Sequence, residues 1–178
     1  MGTTYTVAVL TIGDEICIGQ IVNTNAAWLA SKVATLGGDV TAHSSIGDNR
    51  EQMLAELTRL QKSADAVLIT GGLGPTHDDI TKSVLCEYFN DTLVEDKGTI
   101  ENLTDLFEKR GRILTERNRA QALRPSQSTA LLNPRGTAPG LLFNQNGKLL
   151  VAMPGVPMEM KGIMTEHVLP LISETIAL

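Results

Sequence analysis

No apolar run in the sequence approaches the roughly 18 residues that a membrane-spanning helix needs, and the N-terminus lacks the basic start and long apolar centre of a signal peptide. No membrane partner is expected, and a cytoplasmic location is. Cysteine is scarce: Cys17 and Cys86 are the only two, far apart and outside any C-x-x-C spacing. Neither a disulfide framework nor a structural zinc site is indicated. Positive charge is also in deficit, with 15 Lys and Arg against 20 Asp and Glu and a formal net charge of −5. Phosphate-backbone binding draws on clustered basic residues, so no nucleic-acid partner is expected. A small anionic ligand would need a local positive field or a metal. The three histidines, His43, His77 and His167, have no metal-ligand spacing, and a G-K-[ST] phosphate loop is absent.

What is present is the material of one soluble domain. With 178 residues and 42% hydrophobic composition, the chain is long enough for one substantial core and too short for two. The expectation is a single domain over residues 1–178. Three apolar runs, Val7 to Ile12, Val40 to Ile46 and Ala66 to Thr70, each run into Gly and a helical pattern. The first helix should start near Thr24 or Asn25, bury Leu29, Val33 and Leu36, and end at Gly37. The second should open at Asp48, three residues before Glu51, as a variant capping box. The third should begin around Asp78 or Asp79 and carry Ile80, Val84 and Tyr88 on its buried face. Two helices follow from Gly98, the second from about Thr115 to Leu123, ended by Arg124-Pro125. Leu141 to Phe143 and Leu149 to Met153 flank Asn146-Gly147, a hairpin turn. A last helix runs from about Pro157 to Ile176, interruptible at Pro170. Strand and helix alternation of this kind predicts a three-layer α/β/α fold with a mostly parallel sheet and an antiparallel hairpin strand.

The segment Gly71-Gly72-Leu73-Gly74-Pro75-Thr76-His77-Asp78-Asp79 lies between a strand and a helix. Glycines there allow close backbone approach to a ligand, and N–H groups at a helix start can hold phosphate oxygens. Open α/β sheets bind ligands at this carboxyl edge. The segment also reads as a plain turn capped by Thr76 or Asp78, and its glycine spacing is not the dinucleotide fingerprint. Asp14-Glu15 and Asp48 follow the other two strands, so parallel strands could gather them at the same edge. Carboxylates alone repel phosphate, whereas a hard cation held by one or two of them reverses the local sign. For Asp48 a helix cap is an equal alternative. Lys109, Arg110, Arg112, Arg117, Arg119 and Arg124 form a basic stretch from which one or more arginines could reach a ligand, most of the rest being solvated. His77 could serve as acid, base or hydrogen-bond partner, or be an ordinary loop residue.

Thr11-Ile12-Gly13-Asp14-Glu15 with Gly19-Gln20-Ile21-Val22-Asn23-Thr24-Asn25, and then Gly71 to Asp79, resemble two motifs of the competence/damage-inducible protein A (CinA) family. Asn118 to Ala122, Asn133 to Gly140 and Pro154 to Met160 resemble three more, so the likeness runs along nearly the whole chain. It is a likeness to the N-terminal domain of that family, which has the fold of molybdopterin-binding proteins such as MoaB and MogA. The resemblance implies that Asp14, Glu15, Asn25, Gly72, Gly74, Asp78 and Asp79 surround one site with Asn118, Gln121, Gly136, Pro154, Gly155 and Glu159.

On that reading Asp79, Asp14 and Asp78 are the catalytic candidates. Asp14, Glu15, Asp48 and Asp79 are the candidate ligands of a divalent cation: Mg²⁺, Mn²⁺ or Co²⁺. Gly72, Gly74, Thr76, Asn25, Asn118, Gln121, Gly136, Pro154, Gly155 and Glu159 are the candidate phosphate or ligand contacts. Members of the family are described as metal-dependent ADP-ribose pyrophosphatases, so the expected substrate is a nucleotide diphosphate such as ADP-ribose. The fold offers two alternatives, a module that binds or adenylylates molybdopterin or another pterin nucleotide, and a nucleotide-binding protein without catalysis. Longer family members carry a further deamidase domain; the chain ends before one could begin, and no deamidase activity is carried over. Related folds form dimers or trimers and Val168 to Leu178 is apolar, so a homo-oligomer is expected.

Overall fold

A computed structural model describes residues 4–177. The main sheet has six strands: β1 (Thr6–Ile12), β2 (Asp39–Ile46), β3 (Ala66–Thr70), β6 (Thr129–Leu131), β7 (Gly140–Gln145) and β8 (Lys148–Met153), in the order β2-β1-β3-β8-β7-β6. β2, β1, β3 and β8 are mutually parallel, while β7 runs antiparallel to β8 and to β6. The hairpin between β7 and β8 turns on Asn146 and Gly147, both at positive φ (53° and 75°), as a tight right-twisting hairpin requires. The expected mixed sheet is present.

Period-two alternation divides the strand residues between two cores. Ala8, Leu10, Val67, Ile69, Leu150 and Ala152 face one side, where Met53, Leu57 and Leu60 of α3 (Arg50–Ser63) and Val84 and Leu85 of α4 (Thr81–Tyr88) cover them. Val7, Val9, Leu68 and Val151 face the other, under Leu29 and Val33 of α2 (Thr24–Thr35) and Met160 and Ile163 of α7 (Pro157–Ile163). β3 is buried along its whole length, which is why it reads as a continuous apolar run. β2, at the edge, alternates exposed and half-buried residues.

Several helix boundaries differ from the sequence expectation. Asn49, not Asp48, caps α3, accepting a 2.9 Å hydrogen bond from the Gln52 backbone N–H. Helix α4 starts at Thr81, later than Asp78 or Asp79, because Asp79 is occupied in a local turn with Thr76. A four-residue helix α1 (Asp14–Cys17) follows β1. The expected helix from Thr115 to Leu123 is only α6 (Glu116–Arg119) and a single tight turn (Ala120–Ala122). The chain then becomes the short strand β5 (Leu123–Pro125), antiparallel to β4 (Leu93–Glu95), with α5 (Lys97–Lys109) between them. Pro125 disfavours helical backbone at Arg124. The final helix is continuous through Pro170: a wide π turn (Met164–Val168) leads into α8 (Leu169–Ile176). A widened turn accommodates a proline that can neither donate an N–H nor clear the carbonyl four residues back. Val168 and Ile172 are buried against the chain's own sheet. The C-terminal apolar stretch is therefore committed to this core, and its last residue, Leu178, lies outside the described residues. Among those residues no helix is long and apolar enough to cross a membrane.

Two contacts fix the ends of the central strands. At one end, Asp65 Oδ2 accepts from the Thr6 backbone N–H at 2.8 Å and from the Thr6 hydroxyl at 2.7 Å. These bonds hold the Asp65 carboxyl below its ordinary pKa. At the other, Gly71 adopts φ 111°, and a Cβ there would sit 2.1 Å from the Ile12 carbonyl oxygen.

Asp65→Ala should cost about 1–2 kcal/mol in denaturant unfolding near neutral pH. Because the folded pKa is depressed, the wild-type advantage is present above about pH 4 and lost as pH falls through the folded value; an advantage that grew in acid would contradict the assignment. Gly71→Ala should lower stability by about 1–3 kcal/mol from backbone strain alone, with a further loss from displacing the Ile12 carbonyl. Thermal unfolding measures both.

Candidate functional site

Parallel strands end together, and four of them end here. The loops after Ile12, Ile46, Thr70 and Met153 meet around an open cleft of about 770 Å³, in the range of small-molecule sites. The cleft lies where the chain order of the sheet reverses between β1 and β3, the position at which open α/β sheets leave a crevice.

Its lining is acidic. Asp14, Glu15, Asp48, Asp78, Asp79 and Glu159 face it, and among the described residues no Lys, Arg or His does. Asp14 and Asp48 brace the first two loops reciprocally: the Asp48 N–H donates to Asp14 Oδ1 at 3.0 Å and the Asp14 N–H to Asp48 Oδ2 at 3.3 Å. Burial raises the Asp48 pKa, and the negative charges of Asp14, Glu15 and Asp79 push it the same way against the opposing Asp14 hydrogen bond. Asp79 reaches the group from the β3 loop, where Thr76 donates to its Oδ2 through both backbone N–H (2.8 Å) and hydroxyl (2.5 Å). Gly74 lies against that carboxylate, a Cβ at its position being only 2.6 Å from Asp79 Oδ2.

The rear wall comes from β8 and the residues preceding β7. Pro154 and Gly155 line the cleft, as do Thr137 and Ala138 beside Gly136. Gly136 itself backs onto Glu159, where a Cβ would lie 2.2 Å from a carboxylate oxygen. The Asn133 side-chain amide donates to Glu159 Oε2 at 2.7 Å, fixing the start of α7. Gln121 closes one side; it is 3% exposed and its Oε1 has no hydrogen-bond partner.

Of the expected contacts, Gly72, Gly74, Gln121, Pro154, Gly155 and Glu159 therefore line the cleft with the five acidic candidates. Four others lie elsewhere. Asn25, 8% exposed, donates to Thr70 Oγ1 at 3.0 Å and to the Gly155 carbonyl at 2.8 Å, and lines a smaller adjoining cavity of about 130 Å³. Thr76 faces a separate pocket behind the glycine loop. Asn118 pairs with Thr115 at the start of α6, and Gly136 acts through Glu159. Arg119 is engaged by Glu95 at 3.0 and 2.8 Å, and Arg124 by Asp96 at 2.9 Å. The basic stretch thus sends neither of these arginines to the cleft; only Arg117 approaches, through the Pro75 carbonyl at 3.3 Å. His77 is exposed on the loop without lining the cleft. Gln20 and Thr137 line the cleft without having been singled out, although both stand inside motifs that the sequence displays.

The donor set suits a hard cation: the acidic lining supplies oxygen ligands, and the repulsion felt by Asp48 is what a bound positive charge relieves. Among the described residues no three His, Cys, Asp or Glu form a ready cage.

Residues 8–174 match the family described as "Probable molybdopterin binding domain". The chain is 43% identical to a CinA-like protein of Cytophaga hutchinsonii over 93% of its own length and 40% of the relative's. It is 44% identical to a CinA-like protein of Flavobacterium psychrophilum over 91% of its length and 39% of the relative's. It therefore spans about two fifths of the relatives' length. The crystal structure of the CinA protein of Thermoplasma acidophilum superposes with a TM-score of 0.84 at 29% identity, covering 97% of this chain and 98% of that one. The tungsten cofactor synthesizing protein MoaB of Pyrococcus furiosus shares the fold, with a TM-score of 0.61 at 19% identity and 98% coverage of each chain. The same edge loops, the same motifs and these relatives lead to one conclusion: the chain belongs to the molybdopterin-binding domain family, among its CinA-like members.

Proposed function

We propose that the cleft binds a phosphate-bearing nucleotide together with a divalent cation and hydrolyses its pyrophosphate, ADP-ribose being the expected substrate. The observation that carries this reading is the charge of the lining, which is rich in carboxylates and has no cationic side chain. Such a surface repels a bare phosphate and accepts one only when a cation lies between them.

One or two of Asp14, Glu15, Asp48 and Asp79 would hold Mg²⁺, Mn²⁺ or Co²⁺, the ligand's phosphates and water completing its shell. Once bound, the cation supplies Lewis acidity toward a pyrophosphate oxygen and a more acidic water. The remaining work falls to the chain. Gly72 and Gly74 let backbone approach the phosphates, Asp79 or Asp14 takes the proton of the attacking water, and Asp78 stands beside them. Glu159, steadied by Asn133, and Gln121 position the rest of the ligand. Attack on phosphorus breaks the phosphoanhydride and yields AMP and ribose 5-phosphate.

A second reading has support in the family match over residues 8–174: the cleft holds molybdopterin or another pterin nucleotide, for binding or adenylyl transfer. Its volume of about 770 Å³ suits that ligand as well, and carboxylates pair naturally with the amino edge of a pterin. Co-purified pterin fluorescence with no ADP-ribose turnover would select it, and nucleotide binding without turnover would select a non-catalytic role. Assembly into a homo-oligomer is part of the proposal and is read by light scattering.

Asp79→Asn keeps an oxygen for the Thr76 N–H while losing the charge. Turnover of ADP-ribose with Mg²⁺, Mn²⁺ or Co²⁺ should fall about 10²–10⁴-fold, with thermal unfolding shifted by less than about 1 kcal/mol. Undiminished turnover at low metal would remove Asp79 from the chemistry, and no turnover by the wild type with any of the three metals would end the hydrolase reading. Asp48→Asn gives a crossed signature: the metal-free protein is at least as stable as wild type, because a repelled charge is gone, while the stabilisation by added Mn²⁺ shrinks. Unfolding midpoints with and without Mn²⁺ decide this.

A further inference from the structure

The glycine loop has a second face. Behind Gly72 to Thr76 lies a pocket of about 190 Å³, lined by Lys82, Arg117, Thr76, Ala120 and Gln121. It shares Gly72, Leu73, Gly74, Pro75, Asp79 and Gln121 with the acidic cleft, so the two adjoin along the glycine loop. The cations missing from the cleft stand in this pocket.

Neither cation is neutralised. Among the described residues the ion pairs involve Arg50, Arg59, Arg119 and Arg124, and none includes Lys82 or Arg117. The half-buried Lys82 ammonium donates only to the Ala120 and Gln121 carbonyls, each at 3.3 Å, long for bonds from a charged donor. Burial pulls its pKa down to about 8, with the charge of Cys86 opposing. The Arg117 guanidinium spends one N–H on the Pro75 carbonyl and is otherwise exposed. Asp79, the one carboxylate lining this pocket, is occupied by the Thr76 N–H and hydroxyl. Gln121 also lines this pocket.

We propose that Lys82 and Arg117 form an anion subsite in this pocket beside the glycine loop, built to hold a phosphoryl group. A phosphoryl oxygen there completes the hydrogen bonding of Lys82 and gives Arg117 the forked acceptor its geometry favours. The site needs no cation of its own, so it is independent of the reading given to the acidic cleft. On the reading proposed for the cleft, ADP-ribose fills the cleft alone, and a nucleotide diphosphate ester carrying a further phosphate would fill both sites, one anionic group reached through a metal and one held directly.

Inorganic pyrophosphate is the probe, titrated into the full chain in metal-free buffer and followed by two-dimensional amide NMR. The expected result is saturable shifts at Thr76, Lys82 and Gln121, weakened about tenfold in Arg117→Gln, abolished in Lys82→Gln and retained in Lys82→Arg. Asp48→Asn, in the acidic cleft, does not weaken the binding. Absence of saturable shifts at these amides up to millimolar pyrophosphate overturns the proposal, as does wild-type affinity in both Arg117→Gln and Lys82→Gln. Should Lys82→Gln fail to fold, the exposed Arg117 decides alone. Mn²⁺ broadening of cleft amides is measured on the same samples: its absence beside intact pyrophosphate binding counts against the metal reading of the cleft and leaves the subsite standing.

Discussion

Four strands, β2, β1, β3 and β8, run mutually parallel, with a single shift of register between β1 and β2 at Val7 and Ala8, and everything at the candidate site depends on that alignment. Parallel pairing forces their carboxyl ends to one edge, so Asp14 and Gly155, far apart in sequence, line one cleft. No single loop could assemble this lining. The alignment is itself secured by apolar side chains alternating between two cores, and a one-residue slip would turn each strand's buried set to the wrong side.

A site of this charge also works against the fold. Burial and three neighbouring negative charges oppose ionisation of Asp48, yet the residue is kept in place by paired backbone bonds with Asp14. Asp79 is likewise held by Thr76, not by a cation. Backbone and hydroxyl donors thus do locally what no basic side chain does at the cleft. Two arginines of the basic stretch, Arg119 and Arg124, are occupied instead by Glu95 and Asp96.

Much of this was legible in the sequence because it is local. Continuous apolar runs marked β1 and β3, Asn146-Gly147 marked the hairpin, and the acidic residues after successive strands pointed to a shared edge. What escaped was decided by distant partners. Asp48 and Asn49 are adjacent residues with nearly equal capping ability; which one caps α3 follows from Asp14 engaging the other. The three-residue strands β4, β5 and β6 are too short to show a period. The arginines of the basic stretch look alike in sequence, and only the positions of Glu95, Asp96 and Pro75 tell them apart.

Asn25 gives one of these features a mechanical meaning. Its side-chain amide, carried by α2, grips the end of β3 at Thr70 and the backbone after β8 at Gly155, while Thr70 in turn donates to the Pro154 carbonyl at 3.0 Å. One planar group therefore links a helix to two strand ends without touching the main cleft. It acts as a tie rod: a shift of α2 is transmitted to the rear wall, and pressure on that wall is returned to α2. The stiffness of the ligand-facing surface is set from behind, by a residue that no ligand in the cleft needs to meet.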